Sequence, residues 1–95
     1  MKIYDKIAWQ IDGGIQEKEV VPFFKFFATW LNQKGFFNNN GIEIVELGID
    51  SSFSLNENLL TDEGIRFLDA YYDKMIAETG FNINKAKEFL KKLTR

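Results

Sequence analysis

The spacing of apolar residues predicts a mostly helical chain. Apolar positions recur with the period of an α-helix in five segments, at residues 3–11, 17–33, 42–47, 62–79 and 84–95. On a helical wheel, the apolar arc of segment 17–33 covers most of the circumference. An arc that wide is typical of a central core helix, and the alternative is a surface helix that exposes aromatic side chains.

The first segment and the middle of the chain are less regular. Ile3, Ile7 and Ile11 are spaced four residues apart, which favours a helix over the competing interpretation, a short strand. Residues 49–58 are polar with alternating apolar positions, so they predict a loop or a short extended piece.

Residues 36–46 and 59–69 form a local repeat. In each copy two apolar residues precede a capping residue, Asn38 or Thr61, followed by two polar residues, Gly-Ile and an apolar pair. A side-chain oxygen at such a position accepts hydrogen bonds from free amides at a helix start. The repeat therefore predicts two helices that begin alike, and it is too short for a solenoid.

Length and composition favour one small domain. Ninety-five residues suit a single domain, and 45% of them are apolar, including ten Phe, which suffices for a core. The sequence predicts a single all-α domain over residues 1–95, a bundle of four to five helices with a basic C-terminal helix at 81–95.

The absence of His and Cys argues against several classes of function. The chain has no His and no Cys, so the common catalytic constellations and zinc sites are absent, and we expect a protein that is not an enzyme. Residues 50–56 lack the central Gly and spaced carboxylates of a calcium loop, so no metal and no cofactor is expected. No apolar run is long enough for a membrane span, and the first residues do not resemble a secretory signal. Together with the lack of disulfides this predicts a cytoplasmic protein.

Charge is distributed unevenly along the chain. Residues 1–80 carry seven basic and thirteen acidic side chains, a net charge of −6, whereas residues 81–95 carry five basic and one acidic, a net charge of +4. Lysines are favoured near a helix C-terminus by the helix dipole. We expect the basic tail to pack on the acidic body, and the alternative is contact with nucleic acid or a membrane surface.

Acidic residues of the fourth segment are candidates for a docking surface. Asp62, Asp69 and Asp73 border its apolar face, and further acids precede them in the chain, namely Glu43, Glu46, Asp50 and Glu57. Such a surface would steer a basic protein partner, and the alternative is an ordinary solvated face. Tyr71 falls at the edge of the apolar face, where an aromatic anchor would be useful, and Tyr72 falls in the core.

Three segments carry a resemblance to a known group of proteins, namely residues 4–14 (YDKIAWQIDGG), 46–50 (ELGID) and 67–74 (FLDAYYDK). They resemble small bacterial proteins, the immunity proteins of polymorphic-toxin and bacteriocin systems, and the resemblance spans most of residues 1–75. It implies a stoichiometric inhibitor that covers the basic active site of a toxin made by the same cell. The contacts that it implies are Glu46, Asp50, Asp62, Asp69, Tyr71 and Asp73.

Two other classes of function remain open. One is an adaptor or regulatory domain that self-associates through the aromatic helix, which is the predicted helix at residues 17–33. The chain is then a monomer or a homodimer. The other is a DNA-binding regulator, because residues 60–68 (LTDEGIRFL) resemble the segment after the wing in winged-helix proteins. The acidic body and the lack of a basic recognition helix make nucleic acid the weaker alternative.

Overall fold

Residues 1–93, which a computed structural model describes, form five α-helices and one small sheet. The elements in chain order are β1 (Ile3–Lys6), α1 (Ile7–Asp12), α2 (Glu17–Gln33), α3 (Asn39–Leu47), β2 (Ser54–Asn56), a 3-10 turn (Glu57–Leu59), α4 (Asp62–Thr79) and α5 (Ile83–Leu93). The prediction of a mostly helical fold is confirmed. The chain is not all-α, however, because β1 and β2 pair in an antiparallel sheet.

The start of the chain contains both structures that its sequence left open. Residues 3–6 form a strand, and the helix begins only at Ile7, whose amide donates to the carbonyl of Phe53 at 3.2 Å. The register places Asp5 opposite Leu55. The predicted helix was therefore wrong for residues 3–6, which form β1. Its partner lies far along the chain, and periodicity within nine residues carries no information about such pairing.

Helix α2 is the centre of the core, as its wide apolar arc predicts. Its buried residues lie on several sides of the helix and are Val20, Phe23, Phe24, Phe27, Ala28 and Leu31. The ring of Phe24 packs against Phe53 and Phe81, at 5.8 and 6.0 Å between centroids, and Phe27 packs against Tyr72 at 5.9 Å. Burial of each such ring contributes about 1.5–3 kcal/mol. The aromatic helix therefore keeps most of its apolar surface inside the molecule.

The two copies of the local repeat contact each other reciprocally. The amide of Asn38 donates to the carbonyl of Leu59, and the amide of Thr61 donates to the carbonyl of Phe36, both at 2.9 Å. Each cap also forms as predicted. The Asn38 side chain accepts from two amides at the start of α3, and the Thr61 hydroxyl accepts from the Gly64 amide at 3.1 Å. The repeat thus forms a local two-fold arrangement, which the sequence analysis did not predict.

A glycine at the matching position of each copy permits this close contact. A Cβ atom on Gly41 would lie 2.5 Å from the carbonyl oxygen of Leu59, and one on Gly64 would lie 2.3 Å from that of Phe36. Both distances are far inside van der Waals contact with backbone atoms. The helix starts can therefore approach the opposite copy only because both residues lack a side chain.

The C-terminal helix packs on the body through its apolar face. Ala86 and Leu90 of α5 are buried, and α5 spans Ile83–Leu93, so its predicted last two residues lie outside the described part of the chain. The ion pairs found within residues 1–93 join the Met1 ammonium to Glu57 and Lys2 to Asp69. The basic tail thus packs on the body by apolar contacts, without ion pairs from its described lysines.

One buried carboxylate ties the sheet to α4. Asp5 is only 4% exposed, and its Oδ2 accepts from the Tyr72 hydroxyl at 2.6 Å. Its Oδ1 accepts from the amide of Lys6 and from the side chain of Gln10, both at 2.8 Å. Burial, followed by the charge of Asp5, raises the pKa of Tyr72 well above its ordinary value. The hydroxyl therefore stays protonated, and the Asp5 carboxylate links β1 to both α1 and α4.

Candidate functional site

Helix α3 projects a leucine from its C-terminal end. Leu47 is 80% exposed, more than any other large apolar side chain among residues 1–93. The helix ends at Gly48, whose φ of 102° is accessible to glycine and whose amide closes the last turn on Ile44. Because Ile44 and Leu47 are three residues apart on a helix, their side chains lie on the same face.

That face forms one wall of a groove of about 410 Å³ between α3 and β2. Its lining residues are Ile44, Leu47, Gly48, Ile49, Asp50, Ser52, Phe53, Ser54 and Asn56. In β2 the buried Leu55 alternates with Ser54 and Asn56, so these two polar side chains leave the core and reach the groove. The groove therefore combines an apolar wall with a row of small polar groups.

One carboxylate lines the groove, and two more are exposed on α3. Asp50 lines the groove, and hydrogen bonds from the Ser52 hydroxyl and the Ser52 amide hold the pKa of Asp50 below its ordinary value. Glu43 and Glu46 are exposed on α3, each next to a groove-lining residue. None of these three forms an ion pair with a cation in the described part of the chain. The groove therefore presents uncompensated negative charge beside exposed apolar surface.

The six predicted contact residues do not form one surface cluster. Asp50 lines the groove, whereas Glu46 is exposed on α3 and is not one of the groove-lining residues. Asp62 lines a separate shallow depression of about 440 Å³ at the start of α4, together with Gly35 and Arg66. No three acidic side chains among residues 1–93 converge closely enough to hold a metal ion.

The acidic line of α4 is exposed but partly committed to the fold. Asp69 accepts a hydrogen bond from Lys2 at 2.8 Å and another from the Tyr4 hydroxyl at 2.7 Å. These bonds hold the pKa of Asp69 below its ordinary value, with Lys2 as the larger cause. Asp73 is exposed one turn further along the helix. Asp69 therefore links β1 to α4, and its charge is paired with the Lys2 ammonium.

Tyr71 belongs to an aromatic row on another side of α4. It is half-buried, and its ring lies 5.2 Å from that of Phe67, which in turn contacts Phe36 at 5.1 Å and Trp30 at 5.3 Å. Trp9, by contrast, is 49% exposed on α1, with the Lys6 ammonium 5.5 Å from its ring centroid. Tyr71 is thus packed among aromatic neighbours and does not extend the acidic line.

Leu47 is the functional candidate that sequence analysis missed. A helix-ending glycine directly after a leucine was the available signal, because the last turn of a short helix has few neighbours to cover it. Comparison with protein-family models, curated proteins and solved structures finds no match to this chain. Within the described residues, no helix has the length and apolar character needed to cross a membrane.

Proposed function

We propose that this chain is a non-catalytic protein-binding domain that docks a basic protein at the α3–β2 groove. The observation that carries the proposal is the exposure of Leu47 at the mouth of a groove that also contains Ile44 and Phe53. Covering a leucine of this kind contributes about 1.5–3 kcal/mol to an association. An exposed apolar side chain with a concave neighbour is typical of an interface core.

The charge around the groove selects the partner. Glu43, Glu46 and Asp50 carry no ion pairs within residues 1–93, so a partner that brings Lys or Arg to the groove rim gains complementary charge. Such charge speeds association and disfavours acidic competitors. A basic segment with one apolar side chain for the groove is the ligand that this arrangement fits best.

The resemblance to immunity proteins suggests a biological role for this binding. In that class the partner is a toxin whose basic active site is blocked by a small acidic protein. Of the six residues that the resemblance implies, Asp50 lines the groove and Glu46 is exposed directly before Leu47 in the chain. We therefore propose a toxin of the same cell as the partner, with Leu47 as the apolar anchor and these carboxylates around it.

A capture experiment tests the docking site. The tagged protein is used to capture partners from lysate of its native source, alongside Leu47→Asp and the conservative Leu47→Met. We expect one stoichiometric basic partner, with the Asp variant weakened at least about tenfold because it loses the apolar contact. Leu47→Met keeps that contact and retains the partner. Retention by Leu47→Asp, or an acidic partner, contradicts the proposal.

Two charge-reversal variants test the electrostatic contribution to partner binding. Glu43→Lys with Glu46→Lys reverses the two exposed acidic charges of α3, and Glu17→Lys with Glu19→Lys makes the same change in net charge on exposed residues of α2. We expect only the first pair to slow association with the captured partner. Equal slowing by both pairs would assign the effect to net charge alone.

Growth protection tests the immunity function. The captured protein, expressed alone in a bacterial host, is expected to arrest growth, and co-expression of this chain is expected to restore it. Leu47→Asp should fail to restore growth and Leu47→Met should succeed. A captured partner that causes no arrest would leave a protein-binding domain and remove the immunity function.

A further inference from the structure

A second surface, with charge opposite to that of the groove, lies where α2 meets α5. Phe26 and Trp30 are half-buried there, and they separate two adjacent depressions of about 400 and 260 Å³. The first depression is lined also by Lys25, and the second by Lys87 and Lys91. We call this surface the basic aromatic face.

Two lysines at this face, Lys34 and Lys87, lie over aromatic rings, and neither they nor the other lysines of the face pair with a carboxylate within residues 1–93. The Lys87 ammonium lies 5.7 Å from the ring centroid of Phe26, and the Lys34 ammonium lies 5.7 Å from that of Trp30. Neither these two nor Lys25 and Lys91 form an ion pair with the acidic body in the part of the chain described. Cation–π contacts position the ammonium groups without neutralising them. The face therefore offers positive charge beside apolar depressions.

We infer that the basic aromatic face binds an acidic polypeptide segment with two apolar side chains. The apolar side chains would fill the two depressions on either side of the Phe26–Trp30 ridge. Flanking carboxylates would pair with Lys25 and Lys34 on one side and with Lys87 and Lys91 on the other. This function is independent of the groove, which selects a basic partner and contains none of these residues.

Charge complementarity decides against a symmetric pair of copies at this face. In a two-fold dimer the same patch meets itself, so lysines would face lysines across the interface. Like charges brought together in this way are unfavourable. A segment rich in Asp or Glu removes that repulsion.

The packing of Trp30 decides against single-stranded nucleic acid. Base stacking requires a free aromatic ring face. One face of Trp30 is stacked on Phe27, with 6.1 Å between centroids and an angle of 9°, and the ring also contacts Phe67 and the Lys34 ammonium. The depressions beside the ring suit aliphatic side chains better than planar bases.

A synthetic peptide provides the test. The probe is a fluorescent peptide with Leu at helical spacing among Glu residues, and its binding to the full chain is measured by anisotropy at low ionic strength. Lys87→Glu with Lys91→Glu should weaken binding about tenfold, since two exposed charge pairs are replaced by like-charge contacts. Lys85→Glu with Lys92→Glu is the matched control, because it makes the same charge change on α5 outside both depressions.

Two further probes make the result decisive. A peptide with Ser in place of Leu should bind at least about tenfold more weakly, because it cannot fill the depressions. An oligothymidylate of equal charge should bind more weakly than the Leu peptide. The inference is overturned by no detectable binding, by equal loss in the control pair, by equal binding of the Ser peptide, or by tighter binding of the oligonucleotide. Circular dichroism of each variant verifies the fold.

Discussion

At the scale of single residues, Gly64 is the glycine whose added Cβ would come nearest to another atom, at 2.3 Å. Its absent Cβ leaves room for the carbonyl of Phe36. We expect Gly64→Ala to lower the free energy of unfolding by about 2 kcal/mol, even after the roughly 1 kcal/mol that Ala gains from helix propensity. Urea unfolding followed by circular dichroism measures this change.

Gly13 provides the matched control for that substitution. Its φ is −80°, and a Cβ there would meet its nearest neighbour, the carbonyl of Trp9, at 3.4 Å. We expect Gly13→Ala to change stability by no more than about 0.5 kcal/mol. A similar loss in both variants would mean that steric contact at Gly64 is not the cause.

The Tyr72–Asp5 hydrogen bond makes a prediction at alkaline pH. Because the folded state raises the pKa of Tyr72 above 10.0, its contribution to stability is complete below that pH and is lost as pH rises beyond it. Partial burial and Asp69 raise the pKa of Tyr4 in the same direction. The wild type should therefore lose stability steeply above pH 10, as measured by chemical unfolding across a pH series.

Tyr72→Phe is the variant that isolates this group. It leaves a buried carboxylate with one donor fewer, so we expect a loss of about 1–3 kcal/mol at neutral pH. Above pH 10 its stability should fall less steeply than that of the wild type, with Tyr4 still contributing. If stability fell as steeply with pH in this variant as in the wild type, the pKa of Tyr72 would not differ between the folded and unfolded states.

At the scale of elements, the two helix caps differ in their bonds. The Thr61 hydroxyl accepts from one amide of α4 and donates its single hydrogen toward the carbonyl of Phe36 at 3.3 Å. Asn38 accepts from two amides of α3 and donates its side-chain amide to the carbonyls of Asn58 at 2.9 Å and Leu60 at 3.3 Å. Loss of a cap costs about 1 kcal/mol. We expect Asn38→Ala to lower the melting temperature more than Thr61→Ala, and the reverse order would contradict this account.

Local patterns predicted the helices well and the sheet poorly. The bounds of α2 and α4 agree with the predicted segments 17–33 and 62–79. For α4 the signals are local, because the Thr61 cap and the terminal Gly80 each act within one turn. The strand at residues 3–6 escaped prediction, because the energy that favours it comes from pairing with Ser54–Asn56. Ile3 and Tyr4 of this strand fit a helical wheel as well as they fit a strand.

At the scale of the whole molecule, the sequence predicted the charge of the site but not its shape. The uneven distribution of acids and lysines along the chain becomes two separate surfaces, the groove and the basic aromatic face. Which acids lack an ion pair could not be read from spacing, since Asp69 pairs with Lys2, which lies 67 positions earlier in the chain. Leu47 was missed because its exposure depends on what the rest of the fold leaves uncovered.

The reciprocal contact between the two repeat copies bears on how the chain reaches this fold. Asn38 and Leu59 are 21 residues apart, whereas the sheet pair Ile3 and Asn56 is 53 apart. Closing the shorter loop costs about 0.8 kcal/mol less chain entropy. Because both copies bring their own capped helix start, the contact also joins two segments that are locally structured. The molecule thus has an entropic reason to assemble from its middle outwards, with its first strand added late.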